Sequence, residues 1–176
     1  MKKFLILLLI AFIFPFSYLP QPVFSQATPT PIDYQLPYPG ILPDHPLYPL
    51  KKLRDWLLLN LTRSPVKKTQ LHLLISDKKL NMASALLESR RSQLAVDTIL
   101  EGEQNLFKAA SSLAQLSENN SLPEGLADKI ELSAKKHQEV ISQIYFNTAD
   151  NLLKEKLDSA LNLNQQANSQ IQAVKQ

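Results

Sequence analysis

Apolar residues recur every three or four positions along most of the chain after residue 50, and no segment alternates apolar and polar residues convincingly. A repeat of three to four places side chains on one face of an α-helix, whereas a half-buried strand has a period of two. Only two glycines and two prolines occur from residue 50 onward, so turns are sparse. The pattern predicts an all-α bundle of four to five mostly long antiparallel helices, over about 50–61, 65–88, 92–117, 123–146 and 149–173.

The third predicted helix has the clearest seam, with positions separated by four and three residues in turn. Its only glycine, Gly102, lies inside this seam and costs about 1 kcal/mol relative to alanine in a helix. A close approach between helices would offset that cost, and a hinge is the alternative. The seam residues are Ala95, Ile99, Gly102, Leu106, Ala109, Leu113 and Leu116.

The other helices show comparable stripes, and the first carries Leu50, Leu53, Leu57 and Leu61 on one face. The last helix becomes rich in Asn and Gln after residue 163, where we expect fraying. The predicted buried stripes are Leu73, Ser76, Leu80, Ala83 and Leu87 in the second helix, flanked by Ile75, Met82 and Leu86; Leu126, Ile130, Ser133, His137, Val140 and Ile144 in the fourth; and Leu153, Leu157, Ala160, Asn164, Ala167, Ile171 and Val174 in the fifth.

Helix starts are marked by capping residues. Ser64 before Pro65 is typical of an N-cap followed by proline at the first helical position. Ser121 and Glu124 have the spacing of a capping box, with Pro123 inside the first turn. The segment 88–91 is either a tight connection or a continuation of the second helix.

Residues 1–27 have the pattern of a secretory signal peptide. Lys2 and Lys3 precede an apolar run of 11 residues, 4–14, and small residues stand at Ser25 and Ala27. The run is short for a membrane span, which needs about 20 residues, so we expect cleavage after Ala27; the alternative is an uncleaved anchor. The predicted organisation is therefore signal peptide 1–27, Pro-rich extended segment 28–49 and helical domain 50–176.

The Pro-rich segment 28–49 contains seven prolines, which stiffen the chain and favour extended backbone. One aromatic residue and two leucines are close together in the sequence where this segment ends and the first helix begins. We predict that this docking segment packs on the bundle and covers its core. Its residues are Leu47, Tyr48, Pro49 and Leu50.

The chain contains no cysteine, which excludes disulfides, thiol chemistry and a lipid-modified cysteine. Without residues 1–27, seventeen Lys and Arg face sixteen Asp and Glu, a net charge of +1. This balance argues against a nucleic-acid partner. An exported protein without disulfides suits the bacterial cell envelope or the medium.

The charges are unevenly distributed: residues 50–91 have ten basic against three acidic residues, and residues 92–176 have seven against eleven. The basic residues either form solvated faces that complement the acidic helices or make weak contact with an anionic membrane or wall polymer. The candidate surface-binding residues are Lys51, Lys52, Arg54, Lys67 and Lys68.

Catalytic and metal-binding patterns are weak. His45, His72 and His137 share no i, i+4 spacing, so the sequence predicts no metal site, although it leaves open whether His72 and His137 meet in the fold. We find no phosphate-binding loop or nucleophile elbow, and Ser133 with Lys136 is a spacing common by chance. The sequence therefore predicts neither an enzyme nor a cofactor, and His137, on an apolar stripe, is predicted to be a hydrogen-bonded interior group.

The stretch from Pro39-Gly40 through Leu42-Pro43-Asp44-His45-Pro46-Leu47-Tyr48-Pro49-Leu50-Lys51 to Leu53-Arg54-Asp55 resembles the start of a secreted bacterial family, domain of unknown function 5667. Weaker likenesses follow at Leu71-His72-Leu73 with Lys79-Leu80, at His137 with Val140, and at Ala160. The resemblance implies an exported, often membrane-associated helical protein without an established activity.

Together these features predict an exported, non-catalytic helical protein of the cell envelope whose partner is an unidentified protein or an envelope surface. The alternative is a periplasmic-type helical chaperone or a sensor that responds to a ligand or a metal. An exposed apolar groove between helices, or a cluster of His72 with His137, would favour that alternative.

Overall fold

The fold is described by a computed structural model over residues 31–176. Five α-helices follow one another: α1 Tyr48–Leu61, α2 Pro65–Glu88, α3 Ser92–Glu118, α4 Leu126–Asn147 and α5 Asn151–Lys175. No strand occurs within this range, and the predicted all-α bundle is confirmed. The predicted signal peptide lies outside the described residues. Across residues 31–176, none of the helices has both the length and the hydropathy that a membrane crossing requires.

Short connections join the four long helices, so consecutive helices run antiparallel. Helix α3 lies at the centre, because it packs along both α2 and α5 and also touches α4. Helix α4 packs mainly along α5. Among the described helices, α1 contacts α2 alone, so it sits on the outside of the bundle.

Helix α2 begins and ends as its sequence predicts. The Ser64 side chain accepts a hydrogen bond from the Lys67 amide at 3.4 Å, and Pro65 occupies the first turn. After Glu88 the chain turns through Arg90, whose φ is +59°, and the Arg91 amide donates to the Leu86 carbonyl at 2.8 Å. These bonds satisfy the last carbonyls of the helix, so the segment 88–91 is a tight connection and not a continuation of α2.

The apolar core is divided into two clusters by a layer of polar side chains. One cluster includes Leu73, Leu106 and Ile130, and the other includes Leu80, Ile99 and Ile141. Along each long helix the polar position lies between residues of the two clusters. The buried polar residues of this layer are Ser76 and Asp77 of α2, Glu103 of α3, Ser133 and His137 of α4, and Asn164 of α5.

The stripes of α3 and α5 are confirmed almost in full, since all predicted members except Val174 are buried. In α2, Leu86 takes the buried position predicted for Leu87, and in α4, Ile141 replaces Val140 and Ile144. These differences arise because an α-helix has 3.6 residues per turn, whereas a strict four-three spacing assumes 3.5. The stripe that faces a nearly parallel neighbour therefore rotates around the helix along its length. The residue that faces the core at a helix end therefore depends on the crossing geometry.

The predicted start of α4 is wrong by three residues. Gly125 adopts a left-handed conformation with φ of +73° as N-cap, so the helix begins at Leu126. The predicted capping box does not form, because the Ser121 hydroxyl donates to the Asn119 carbonyl at 3.0 Å.

Helix α5 does not fray after residue 163, contrary to the prediction. Ile171 is fully buried near its end. Lys175 then pairs with Asp128 at 2.7 Å and also with Glu131, both on α4. Contacts with another helix, absent from a local reading of the sequence, hold the last turns in place.

Gly102 marks a close approach between α2 and α3. A Cβ atom at this position would lie 3.3 Å from the Cβ of Lys79 and 3.5 Å from the Ser76 carbonyl oxygen. The Ser76 hydroxyl also donates to the Gly102 carbonyl at 2.9 Å. The packing interpretation of this glycine therefore agrees with the structure.

We expect Gly102→Leu to lower the free energy of unfolding by about 1–3 kcal/mol, although leucine is the better helix former, because the added side chain overpacks the α2–α3 contact. Urea denaturation measures this change. Gln115→Leu, at an exposed position of the same helix, should have little effect. A more stable Gly102→Leu variant would contradict the close-packing interpretation.

Candidate functional site

The most unusual interior feature is a histidine held between two carboxylates. His137 Nδ1 lies 2.5 Å from Glu103 Oε1, and His137 Nε2 lies 3.2 Å from Asp77 Oδ1. An ionised carboxylate only accepts hydrogen bonds, so both ring nitrogens donate and the ring is a positively charged imidazolium. His137 and Glu103 have no exposed surface, and Asp77 is almost fully buried.

Other donors complete the network around the two carboxylates. Ser133 Oγ donates to Asp77 Oδ1 at 2.6 Å, and Tyr34 Oη donates to Asp77 Oδ2 at 2.6 Å. Asn164 Nδ2 donates to Glu103 Oε2 at 2.9 Å. Within residues 31–176 no buried side-chain nitrogen or oxygen lacks a hydrogen-bond partner. The network thus joins the N-terminal segment to all four long helices.

The carboxylates control the charge of His137. Burial alone lowers the pKa of an imidazole, but the attraction of Glu103 and the hydrogen bonds to Asp77 and Glu103 outweigh it and raise the pKa of His137 to about 9. Burial and the hydrogen bond to Asp77 raise the pKa of Tyr34 well above its usual value, so this hydroxyl remains a donor. His137 is therefore a cation at neutral pH, held between the two carboxyl groups.

This arrangement favours a structural role. A general acid or base has to reach a substrate, and His137 is enclosed on all sides. His72 does not meet His137, since its Nδ1 lies 3.1 Å from Asn105 Oδ1 in a separate contact. In the part of the chain that the structure describes, no group of three or more His, Cys, Asp or Glu side chains is arranged to hold a metal ion.

Residues 31–44, called here the strap, form the segment that docks on the bundle. The Ile32 amide donates to Glu139 at 2.8 Å, and Asn81 donates to the Pro37 carbonyl at 2.9 Å. Leu36 packs against the apolar cluster that contains Leu80. With Tyr34 reaching Asp77, the strap crosses α2 and α4 and covers one side of the polar layer.

The docking segment predicted from the sequence therefore lies too far along the chain. Leu47, Pro49 and Leu50 are exposed, and only Tyr48 is half-buried, with its hydroxyl 3.3 Å from Lys79 Nζ. The reason is that these residues begin α1, which projects them outward, whereas the upstream strap fills the groove on the bundle.

Four of the five predicted surface-binding residues are exposed and the fifth is buried. Lys52, Arg54, Lys67 and Lys68 are exposed, as a surface-binding role requires. Lys51 is buried, which corrects its assignment to the surface: its ammonium donates to the carbonyls of Pro39 and Ile41 at 3.0 and 3.1 Å and lies over the Tyr48 ring. Burial, with Lys78 and Lys79 nearby, lowers the pKa of Lys51 to about 8.

Helix α1 exposes an apolar face instead of burying it. Its four predicted stripe residues, Leu50, Leu53, Leu57 and Leu61, have exposed fractions of 64, 51, 41 and 74 %. A helix of a monomeric protein normally turns such a stripe toward the core. This face is therefore a candidate interaction surface.

The sequence analysis missed Asp77 and Glu103, although a signal for both was present. Asp77 lies four residues after Leu73 and three before Leu80, and Glu103 has the same spacing from Ile99 and Leu106. A charged residue with seam spacing on both sides, in a chain that also has His137 on a stripe, indicates a buried ion pair. The predicted interior role of His137 is confirmed.

The fold and the network define an all-α bundle with a buried ionic layer and a first helix whose apolar face is exposed. The chain belongs to the family described as domain of unknown function (DUF5667), whose model matches residues 40–151, more than half of the chain. The matched range contains α1 to α4, with Asp77, Glu103 and His137. Comparison with curated proteins and comparison with solved structures found no match.

Proposed function

We propose that this protein is an exported, non-catalytic module of the cell envelope that docks on an anionic membrane surface through α1. The observation that carries the proposal is the exposed leucine face of this helix. The signal-peptide pattern of residues 1–27 supports export.

The size and composition of α1 suit binding in the plane of a membrane interface. Its 14 residues span about 21 Å and include several leucines together with Lys52, Arg54 and Trp56. Amphipathic helices with an apolar face, flanking basic residues and a tryptophan bury that face at the headgroup boundary. Trp56 is 58 % exposed and is therefore free to enter the interface.

Charge complementarity selects an anionic surface. Residues 50–91, which contain α1 and α2, have an excess of seven positive charges, whereas residues 92–176 have an excess of four negative charges. Each basic residue near an anionic leaflet contributes about 1 kcal/mol, within a range of about 8 Å at physiological salt. The asymmetry orients the protein with α1 toward the lipid.

Trp56 is the only tryptophan of the chain, so its fluorescence reports the environment of α1 directly, even in the full-length protein. We expect its emission to shift to shorter wavelength with phosphatidylglycerol vesicles at low salt, to shift much less with phosphatidylcholine vesicles, and to return toward the free value above about 0.15 M salt.

Matched variants separate the α1 face from other apolar residues. Leu50→Ser with Leu57→Ser should weaken vesicle binding strongly, whereas Leu152→Ser, an exposed leucine of α5, should not. An unshifted Trp56 emission with both vesicle types at low salt would remove the membrane proposal and leave a protein partner for this face.

A further inference from the structure

A groove lies beneath α1, on the side opposite the leucine face. It has a volume of about 610 Å³ and is bounded by α1, α2 and α3. This volume is within the range of about 300–1,000 Å³ that small-molecule sites occupy. We propose that the groove binds one molecule of an anionic single-chain amphiphile, a hydrocarbon chain with a carboxylate or phosphate head.

The floor of the groove is suited to the hydrocarbon chain. Leu71, Leu74 and Ile75 of α2 and Leu59 of α1 line it, with Trp56 at its side. Leu74 is 41 % exposed there because the gap between α1 and α2 leaves it uncovered. Burying such side chains under an acyl chain yields about 25 cal/mol for each Å² of apolar surface removed from water.

The rim of the groove is suited to an anionic head. Lys52 of α1, Lys78 of α2 and Lys108 of α3 line it, one lysine from each helix. None of the three has an ion-pair partner among residues 31–176. The two carboxylates of the groove are already paired, Asp55 with Arg54 at 2.6 Å and Glu101 with Lys79. The free cations therefore outnumber the free anions.

The lysines of the groove affect two titratable groups beside it. Burial lowers the pKa of Lys51; Asp55 opposes this shift, and the neighbouring Lys78 and Lys79 add to it. Burial likewise lowers the pKa of His72, whose partner Asn105 lines the groove, and Lys108 contributes in the same direction. An anion in the groove would relieve the repulsion at both groups.

A single amphiphile fits these observations better than a peptide. A stable protein interface buries about 1,200–2,000 Å², far more than a pocket of this volume offers. The groove forms where α1, which contacts α2 alone, stays apart from α3. The groove lies on the inner side of α1, away from its leucine face, although Lys52, Arg54 and Trp56 border both sites.

The test uses dodecyl phosphate at concentrations below micelle formation, with the full-length protein and Trp56 emission as the readout. Dodecyl maltoside, with the same chain and a neutral head, is the ligand control. We expect dodecyl phosphate to bind at least about tenfold more tightly, because charge-assisted hydrogen bonds to the lysines act on the anionic head only. Equal affinity for both ligands would overturn the proposal.

Charge-reversal variants locate the site. Lys78→Glu and Lys108→Glu should each weaken dodecyl phosphate binding about tenfold, whereas Lys129→Glu, an exposed lysine of α4, should not. Circular dichroism and the melting midpoint check that each variant is folded. Equal weakening by Lys129→Glu and Lys108→Glu would show non-specific attraction and overturn the proposal.

Vesicle titrations separate this site from the membrane-docking face. Lys108→Glu and Lys129→Glu change the net charge equally, so the two variants should bind phosphatidylglycerol vesicles alike. They should differ in their affinity for monomeric dodecyl phosphate. If the protein binds vesicles but not monomeric dodecyl phosphate, only the groove site is overturned. If it binds monomeric dodecyl phosphate but not vesicles, the groove site is supported and the membrane proposal is removed.

Discussion

Replacing His137 with alanine should lower the free energy of unfolding by about 3–5 kcal/mol, the largest effect that we expect from a single substitution in this chain. His137 is the only cation within hydrogen-bond distance of the buried carboxylates of Asp77 and Glu103 in the described structure. Without it, the two buried carboxyl groups keep only hydroxyl and amide donors. The loss is far greater than that of an ordinary hydrogen bond, which contributes about 1 kcal/mol.

His72→Ala is the matched control, because it removes the same side chain from another helix. His72 has a single side-chain partner, Asn105, and no carboxylate contact in the described residues. We expect a loss of about 1–2 kcal/mol from this variant. Urea denaturation measures both variants, and equal losses would mean that the ionic network contributes nothing beyond packing.

The stability of the protein should fall as the pH rises from about 7 to 8. The pKa of His137 is raised from 6.5 to about 9 in the folded protein, so the folded state retains a proton that the unfolded chain releases. The resulting stabilisation is fully present below pH 6.5 and is lost as the pH passes through about 9. It amounts to about 3 kcal/mol in total, with a slope of about 1.4 kcal/mol per pH unit.

The interval from pH 7 to 8 isolates this effect. His72, whose pKa burial lowers, affects stability in the opposite direction and only below pH 6.5, because there the unfolded chain binds the proton more readily. Lys51, with its pKa lowered to about 8, adds stability only as the pH rises from about 8. Chemical denaturation at pH 7.0, 7.5 and 8.0 therefore reports mainly His137, with a smaller opposite contribution from Lys51 near pH 8.

His137→Gln keeps a hydrogen-bonding side chain but cannot titrate, so the slope between pH 7 and 8 should disappear in this variant. His72→Gln should retain the slope of the original protein. If the original protein and His137→Gln show the same slope, the imidazole is neutral in the folded state and the charged network is wrong.

Local patterns along the chain were sufficient to predict the helices. The repeat of three to four apolar positions located α2 and α3 within one residue of their observed ends, because periodicity and the cap at Ser64 are properties of neighbouring residues. The seam with Gly102 also predicted the close contact of two helices. The start of α4 was harder, because two local signals, a capping box and Gly125, competed there.

The candidate sites could be predicted only in part. His137 was identified as an interior group, since a histidine on an apolar stripe has to be buried with a partner. The partners themselves, Asp77 and Glu103, lie 60 and 34 residues away along the chain. Which acids meet a buried cation depends on the pairing and register of antiparallel helices, and periodicity within one helix carries no such information.

The sequence alone thus determined the fold class, the helix pattern and the uneven charge of the two halves, since each follows from composition and local spacing. Only the tertiary structure decided which amphipathic surface was buried. The strap packs on the bundle, Lys51 is enclosed by carbonyls, and the leucine face of α1 is exposed. The physical reason is that an apolar stripe shows only that a helix face is stabilised by burial. All the helices compete for the same core, and α1 is the one left outside it.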